Sequence, residues 1–338
     1  MQSSSHGVGT QIQPGFQANA IAVVIPCYRV TGHILGVVER IGAEVSKIYV
    51  VDDKCPDHSG QFVLRECRDS RVVVVFNEVN LGVGGAVMAG YRRAIADGAD
   101  VIVKIDGDGQ MDPAMLARFV MPIIKGQADY SKGNRFYDLS RILQMPKVRL
   151  FGNAVLSFMA KLSTGYWGLF DPTNGYTAIS ARIAAHLPLE KISERYFFET
   201  DILFRLNTLR GVVVDIPMHA HYADEKSSLK ISRVLAEFVF KHSRNTMKRI
   251  FYNYFLRDMN IASFELIVGL LMVGFGLVYG SYHWVESSAR SVATPTGIIM
   301  LATLPIIVGF QLLLAFLAFD MANVPYRSVS ADLPDPLV

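Results

Sequence analysis

The chain has 338 residues, 51% of them hydrophobic and only 19% charged, with a net charge of +3 and a mean hydropathy of +0.29. That charged fraction falls below the quarter usual for soluble domains, which argues against a wholly soluble enzyme. The hydropathy also argues against disorder outside the ends, and so small a net charge gives no electrostatic case for a nucleic-acid partner.

Residues 1–19 are polar and rich in Gly, Ser and Gln, so they read as a flexible tail, neither signal peptide nor anchor. Ile21–Cys27 (IAVVIPC) is a continuous apolar run of mostly β-branched residues, and Lys47–Val51, Arg71–Phe76 and Val101–Ile105 repeat the pattern. Between the last two, Gly84–Gly98 has helical length. Short buried strands alternating with helices predict an α/β unit over residues 20–227, built on a doubly wound, mostly parallel sheet. Three cysteines, Cys27, Cys55 and Cys67, cannot all pair and show no zinc spacing, which fits a reduced, cytosol-facing compartment.

Residues 228–259 read as amphipathic juxtamembrane helices. Met247, Ile250, Phe251, Tyr254 and Phe255 recur at helical spacing, with a shorter stripe of Val234, Leu235, Phe238 and Val239. Lys230, Arg233, Lys241, Arg244, Lys248, Arg249 and Arg257 stand against only Glu237 and Asp258. This pattern suits either a helix lying on an anionic leaflet or a collar packed on the soluble unit. Leu266–Val285 and Ser291–Phe319 carry no Asp, Glu, Lys or Arg, and each reaches the roughly 20 residues that cross a bilayer. Residues 260–322 are therefore expected to form a two-helix transmembrane hairpin, followed by a cytoplasmic tail over 323–338. The flanking cations put the large N-terminal part in the cytoplasm, at a multi-pass inner (cytoplasmic) membrane site.

Ligands of such sheets bind beyond the carboxyl ends of the strands. Those ends read Tyr28-Arg29, Asp52-Asp53, Asn77 to Gly85, and Asp106-Gly-Asp108-Gly-Gln110. Any one of them alone would be a cap or turn; their convergence on one edge marks a site. Asp106, Asp108 and Gln110 alternate, so three oxygens can meet at one point and hold Mg²⁺ or Mn²⁺. The glycines of Asn80–Gly90 (NLGVGGAVMAG), at a helix start, suit an anion or a tight chain turn. They follow the third strand rather than the first, which speaks against a dinucleotide fingerprint.

PCY, VDDKCPDHSG, NLGVGGAVMAG and IDGDGQMDP in this order closely resemble the inverting glycosyltransferases of family 2, which have the GT-A fold. Within it, the organisation is similar to the dolichyl-phosphate mannose synthase and bacterial polyprenyl-phosphate glycosyltransferase group. The resemblance covers roughly residues 20–230. It implies that Pro26, Tyr28 and Asp52 line the base and ribose pocket with Asp53 in support, and that Asn80, Gly82 and Gly85 border it. It implies further that Asp106, Asp108 and Gln110 carry the metal, that Arg135 meets a phosphate, and that Arg149 meets the phosphates or the lipid acceptor. DPTNGY (Asp171–Tyr176) falls near the sugar, and Glu199 or Asp201 in FFETDIL holds a hydroxyl or acts as base. Two motifs depart from the family: P-x-Y-N-E is here Pro26-Cys-Tyr-Arg-Val30, and R-x-x-G-x-S-K lacks its arginine, leaving Lys226 and Lys230 as cations. His219 and His221, two apart, read as ordinary strand histidines rather than metal ligands.

The implied function is transfer of one sugar from a UDP- or GDP-linked donor to a polyprenyl phosphate, with membrane lipids as further partners and a homo-oligomer compatible. Alternatives are a same-family transferase acting on a hydroxyl of a lipid-linked glycan, and a catalytically silent scaffold.

Overall fold

Strand β1 (Ile21–Cys27) is apolar on both faces, with Ala22 and Val24 entering one core and Val23 and Ile25 the other. Such a strand belongs in the middle of a covered parallel sheet. β2 (Val45–Asp52) and β4 (Val101–Lys104) flank it in parallel, and β3 (Val72–Phe76) lies outside β2. The computed structural model describes residues 20–137, 147–218 and 231–334. β5 (Tyr130–Asn134), β6 (Thr177–Ser180) and β7 (Val213–Pro217) complete the order β3-β2-β1-β4-β6-β5-β7. β6 runs antiparallel to β4 and β5, whereas β5 and β7 are parallel. The expected mostly parallel sheet is thus present, with a reversal at β6.

Helices cover both faces. α1 (Ile34–Glu39), α2 (Ser59–Glu66) and α4 (Leu116–Ile124) pack on the face that holds Val23 and Ile25. α3 (Gly82–Ala96), α6 (Ala181–Ala185) and α7 (Phe198–Thr208) pack on the other. α5 (Lys147–Thr164) lies against α7 and the long helix α8 (Ile231–Phe251). The N-terminal tail, His219, His221, Lys226 and Lys230 lie outside the described residues.

One side of α8 packs on the α/β unit, as the collar reading expects, and the other side is exposed. His242, Asn245 and Arg249 are buried against the α/β unit, while Phe240, Met247 and Phe251 face outward and are exposed. The predicted stripe breaks after Phe251, where a π-helical turn (Tyr252–Arg257) shifts the period and carries Tyr254 inward. Arg249, expected among the cations facing the leaflet, is instead buried. Its guanidinium donates to Asp320 at 2.6 and 2.9 Å and to the Leu162 carbonyl at 2.9 Å. Tyr254 Oη (2.6 Å) and Trp167 Nε1 (2.9 Å) also donate to Asp320.

Asp320 sits in the last turn of the hairpin formed by α9 (Ile261–Ala289) and α10 (Thr296–Ala322). At 1.5 Å per residue these helices run about 43 and 40 Å, enough to cross about 30 Å of hydrocarbon. Only 22% and 11% of their apolar windows are buried, so they are not core helices of a soluble fold. Their backbones touch: a Cβ on Gly309 would lie 2.8 Å from the Gly269 carbonyl oxygen. The segment after α10 returns to the sheet. Ser328 Oγ (2.6 Å) and the Ser330 amide (2.8 Å) donate to buried Asp129, and Val324, Val329 and Leu333 pack on the core.

Candidate active site

The ends of β1, β2 and β4 open on one cleft of about 550 Å³. At the end of β2 two adjacent carboxylates part company, because successive side chains of a strand point to opposite sides. Asp53 turns to the cleft, where it accepts from Asn77 Nδ2 (2.8 Å) and from the amides of Leu81 (2.9 Å) and Gly82 (2.7 Å). Asp52 turns into the protein and accepts from the amides of Cys55 (2.7 Å) and Gly60 (2.6 Å). Asp52, expected in the base pocket, is therefore a clamp on the loop that leads into α2.

The glycines at the start of α3 make room for chain rather than for an anion. Gly82 has φ +80°, and a Cβ there would lie 2.8 Å from the Glu194 carbonyl oxygen. The Gly85 amide donates to that same carbonyl at 3.0 Å. This contact seats the turn before α7 and projects Arg195 and Tyr196 into the cleft. Gly82 lines the cleft, and Gly85 is buried beneath it.

Asp106 and Asp108 line the cleft from the end of β4. Asp106 pairs with buried Lys104 at 2.7 Å and keeps 30% side-chain exposure. Asp108 Oδ1 accepts from the Gln110 amide at 2.9 Å, closing the turn. Gln110, the expected third oxygen, is outside the lining. A Cβ on Gly175 would lie 3.1 Å from Asp106 Oδ2, so the 171–176 turn abuts this carboxylate.

That turn explains Arg135, expected at a phosphate. Its guanidinium forks onto Asp171 at 2.7 and 2.8 Å, and Asp171 also accepts from Asn174 Nδ2 at 3.1 Å. Burial pushes the Asp171 carboxyl up, but Arg135 and Lys132 more than offset this and hold it below the usual value. Arg135 thus braces the turn against Asp106 rather than lining the cleft.

Glu199 and Asp201 diverge along α7. Burial pushes the Glu199 carboxyl up to about 8; Lys104 opposes the rise and Asp106 adds to it. Asp201 is buried on another side, where it accepts from the Ser193 amide (3.0 Å) and Asn245 Nδ2 (3.2 Å). Arg149 lies in α5 with its side chain, like Lys226, outside the described residues.

Of the anticipated residues, the cleft gathers Pro26, Tyr28, Asp53, Asn80, Gly82, Asp106 and Asp108. It also takes in Arg29, which the sequence reading placed at the end of β1 without a role, and His33, Arg195 and Tyr196, which it did not assign to the site. Arg29 follows Tyr28 and stacks over its ring at 5.5 Å, so its adjacency was a usable signal. Arg195 and Tyr196 had none, since the α3 glycines that position them lie more than 100 residues earlier.

A family model described as "Glycosyl transferase family 2" matches residues 22–187. The chain is 30% identical to the undecaprenyl-phosphate mannosyltransferase of Micrococcus luteus, over 59% of this chain and 82% of that protein. It is 28% identical to the UDP-N-acetylglucosamine–dolichyl-phosphate N-acetylglucosaminyltransferase of Methanococcus voltae, over 60% and 86%. The fold matches glucosyl-3-phosphoglycerate synthase of Mycobacterium tuberculosis, solved with Mn²⁺, UDP-glucose and phosphoglyceric acid. There the TM-score is 0.51 and the identity 19%, over 71% of this chain and 86% of that one.

Proposed function

We propose that this chain, which belongs to glycosyl transferase family 2, moves one sugar from a UDP- or GDP-linked donor to a polyprenyl phosphate, with inversion, at the cytoplasmic leaflet. The observation that carries the reading is the pair Asp106 and Asp108, held at the open edge of a cleft that also presents Arg29, Arg195 and two exposed tyrosines. The named relatives support a polyprenyl-phosphate acceptor. Residues 20–227 would be the catalytic unit, 228–259 the juxtamembrane collar and 260–322 the membrane hairpin.

Two carboxylates beside an open cleft fit a hard divalent cation such as Mg²⁺ or Mn²⁺, which takes one or two carboxylates together with phosphate and water oxygens. Asp106 and Asp108 would hold it, and once bound it would supply positive charge to the leaving nucleotide diphosphate. The other roles belong to the chain. Lys104 fixes the Asp106 carboxylate, and the Arg135–Asp171 fork sets the turn behind it. Arg29 and Arg195 place cationic charge where the diphosphate would lie, and Tyr28 and Tyr196 offer ring faces to a base. A phosphate acceptor has a second pKa of about 6, so it arrives largely ionised and needs no general base. Asp201, with both oxygens committed to its own chain, is not required as one.

The test incubates the purified full chain, Mg²⁺ or Mn²⁺ and short polyprenyl phosphates with labelled UDP- and GDP-sugars. Label should enter the organic phase from one donor, with the anomeric configuration inverted by NMR. No transfer and no nucleotide binding across the panel would return the chain to a scaffold. Transfer only to a lipid-linked glycan would move the acceptor to a hydroxyl.

A further inference from the structure

A second cavity of about 490 Å³ opens between α7 and α8 and, among the described residues, shares no lining residue with the cleft. Among the described residues, five cations line it, Lys191, Arg205, Lys241, Arg244 and Lys248, against one carboxylate, Asp201. Asp201 is already committed to Ser193 and Asn245 and lies 3.7 Å from Arg205. Lys241 pairs with Glu237 at 2.7 Å on the surface. Among the described residues, Lys191, Arg244 and Lys248 have no carboxylate within 4 Å. The Arg205 Nε–H is buried with no partner among them.

Cations crowded this way repel one another. Burial, followed by the charges of Arg244 and Arg205, pushes the Lys248 ammonium below its usual pKa. An anion in the cavity would relieve that repulsion and accept from the guanidinium and ammonium groups together. The position favours a membrane source. Tyr252 lines the cavity and opens the turn that leads into α9 at Ile261. On the outward side of the same segment Met247, Phe251 and Leu256 are exposed, as expected of a surface that meets acyl chains.

We propose that this cavity is a binding site for the phosphate head group of an anionic phospholipid, separate from the donor cleft and independent of which donor that cleft takes. It would hold the catalytic unit at one height and one angle on the leaflet, beyond what diffuse attraction provides.

The full chain in mild detergent, titrated with phosphatidic acid or phosphatidylcholine, tests this by native mass spectrometry. One phosphatidic acid should be retained and phosphatidylcholine should not. The paired change Arg244→Gln and Lys248→Gln, both at the cavity's outer helix, should lower its occupancy at least about tenfold. A charge-matched control, Arg65→Gln with Arg92→Gln, should leave occupancy unchanged, and UDP binding should be the same in all three proteins. Equal loss in the control, or retention in the cavity variant, overturns the site. Displacement by inorganic phosphate, with no preference for the lipid, keeps an anion site but overturns its assignment to a head group.

Discussion

The cleft above the sheet and the ionic knot at the foot of the hairpin use the same residue types in opposite ways. At the cleft, Asp106 keeps 30% of its side chain exposed, and Asp108 is half-buried at its border. At the knot, Arg249 and Asp320 are each 3% exposed, and Asp320 takes donors from Arg249, Tyr254 and Trp167. A saturated buried pair gives registry between elements, here α5, α8 and α10, at a desolvation cost. Half-open carboxylates keep lone pairs for a ligand. Charge identity therefore says little about role, and exposure together with partner count says much.

The largest expected effect breaks the cleft while sparing the knot. Asp108→Asn keeps the oxygen that accepts from the Gln110 amide and removes the negative charge. Sugar transfer should fall about a thousandfold. Retained activity would mean that this carboxylate has no part in the reaction.

The converse change is Asp320→Asn. It should cost about 3–5 kcal/mol by leaving Arg249 as a buried, uncompensated charge, seen in thermal unfolding of the detergent-solubilised chain. The apolar pair Arg249→Met with Asp320→Leu should recover much of that loss. If the single and double variants unfold alike, the pair carries no registry.

A smaller and pH-dependent effect sharpens the contrast. His242, near the knot on α8, bonds Ser163 at 2.8 Å and packs on Phe197 and Phe238. Burial pushes its pKa down to about 4. The unfolded chain binds this proton near pH 6.5 and the folded chain resists it, so stability is lost as pH falls from about 6.5 toward 4. The loss should reach up to about 3 kcal/mol. His242→Gln should flatten that part of the profile, and a variant that tracks the parent across this range would remove His242 as its source.

Much of the cleft was legible because strand ends carry their side chains to a known edge. The run VIVKIDGD announces both a buried strand and the two carboxylates beyond it. The same logic could not separate Asp52 from Asp53, since the parity of the last strand residue decides which of them faces ligand. Nor could it foresee that Arg135 would be taken by Asp171 or Arg249 by Asp320, partners 36 and 71 residues away. The α3 glycines were correctly expected at a tight place, but what they admit is the backbone of Ser193 and Glu194.

Local pattern was enough for the α/β layer, the two long apolar helices and the family, because burial periodicity, span length and short motifs are properties of contiguous residues. Partnership was not. Which carboxylate stays open, which arginine is neutralised and where the final segment docks depend on chains meeting across the fold. In a medium of low polarity each buried charge must find its complement there, wherever in the chain that complement lies.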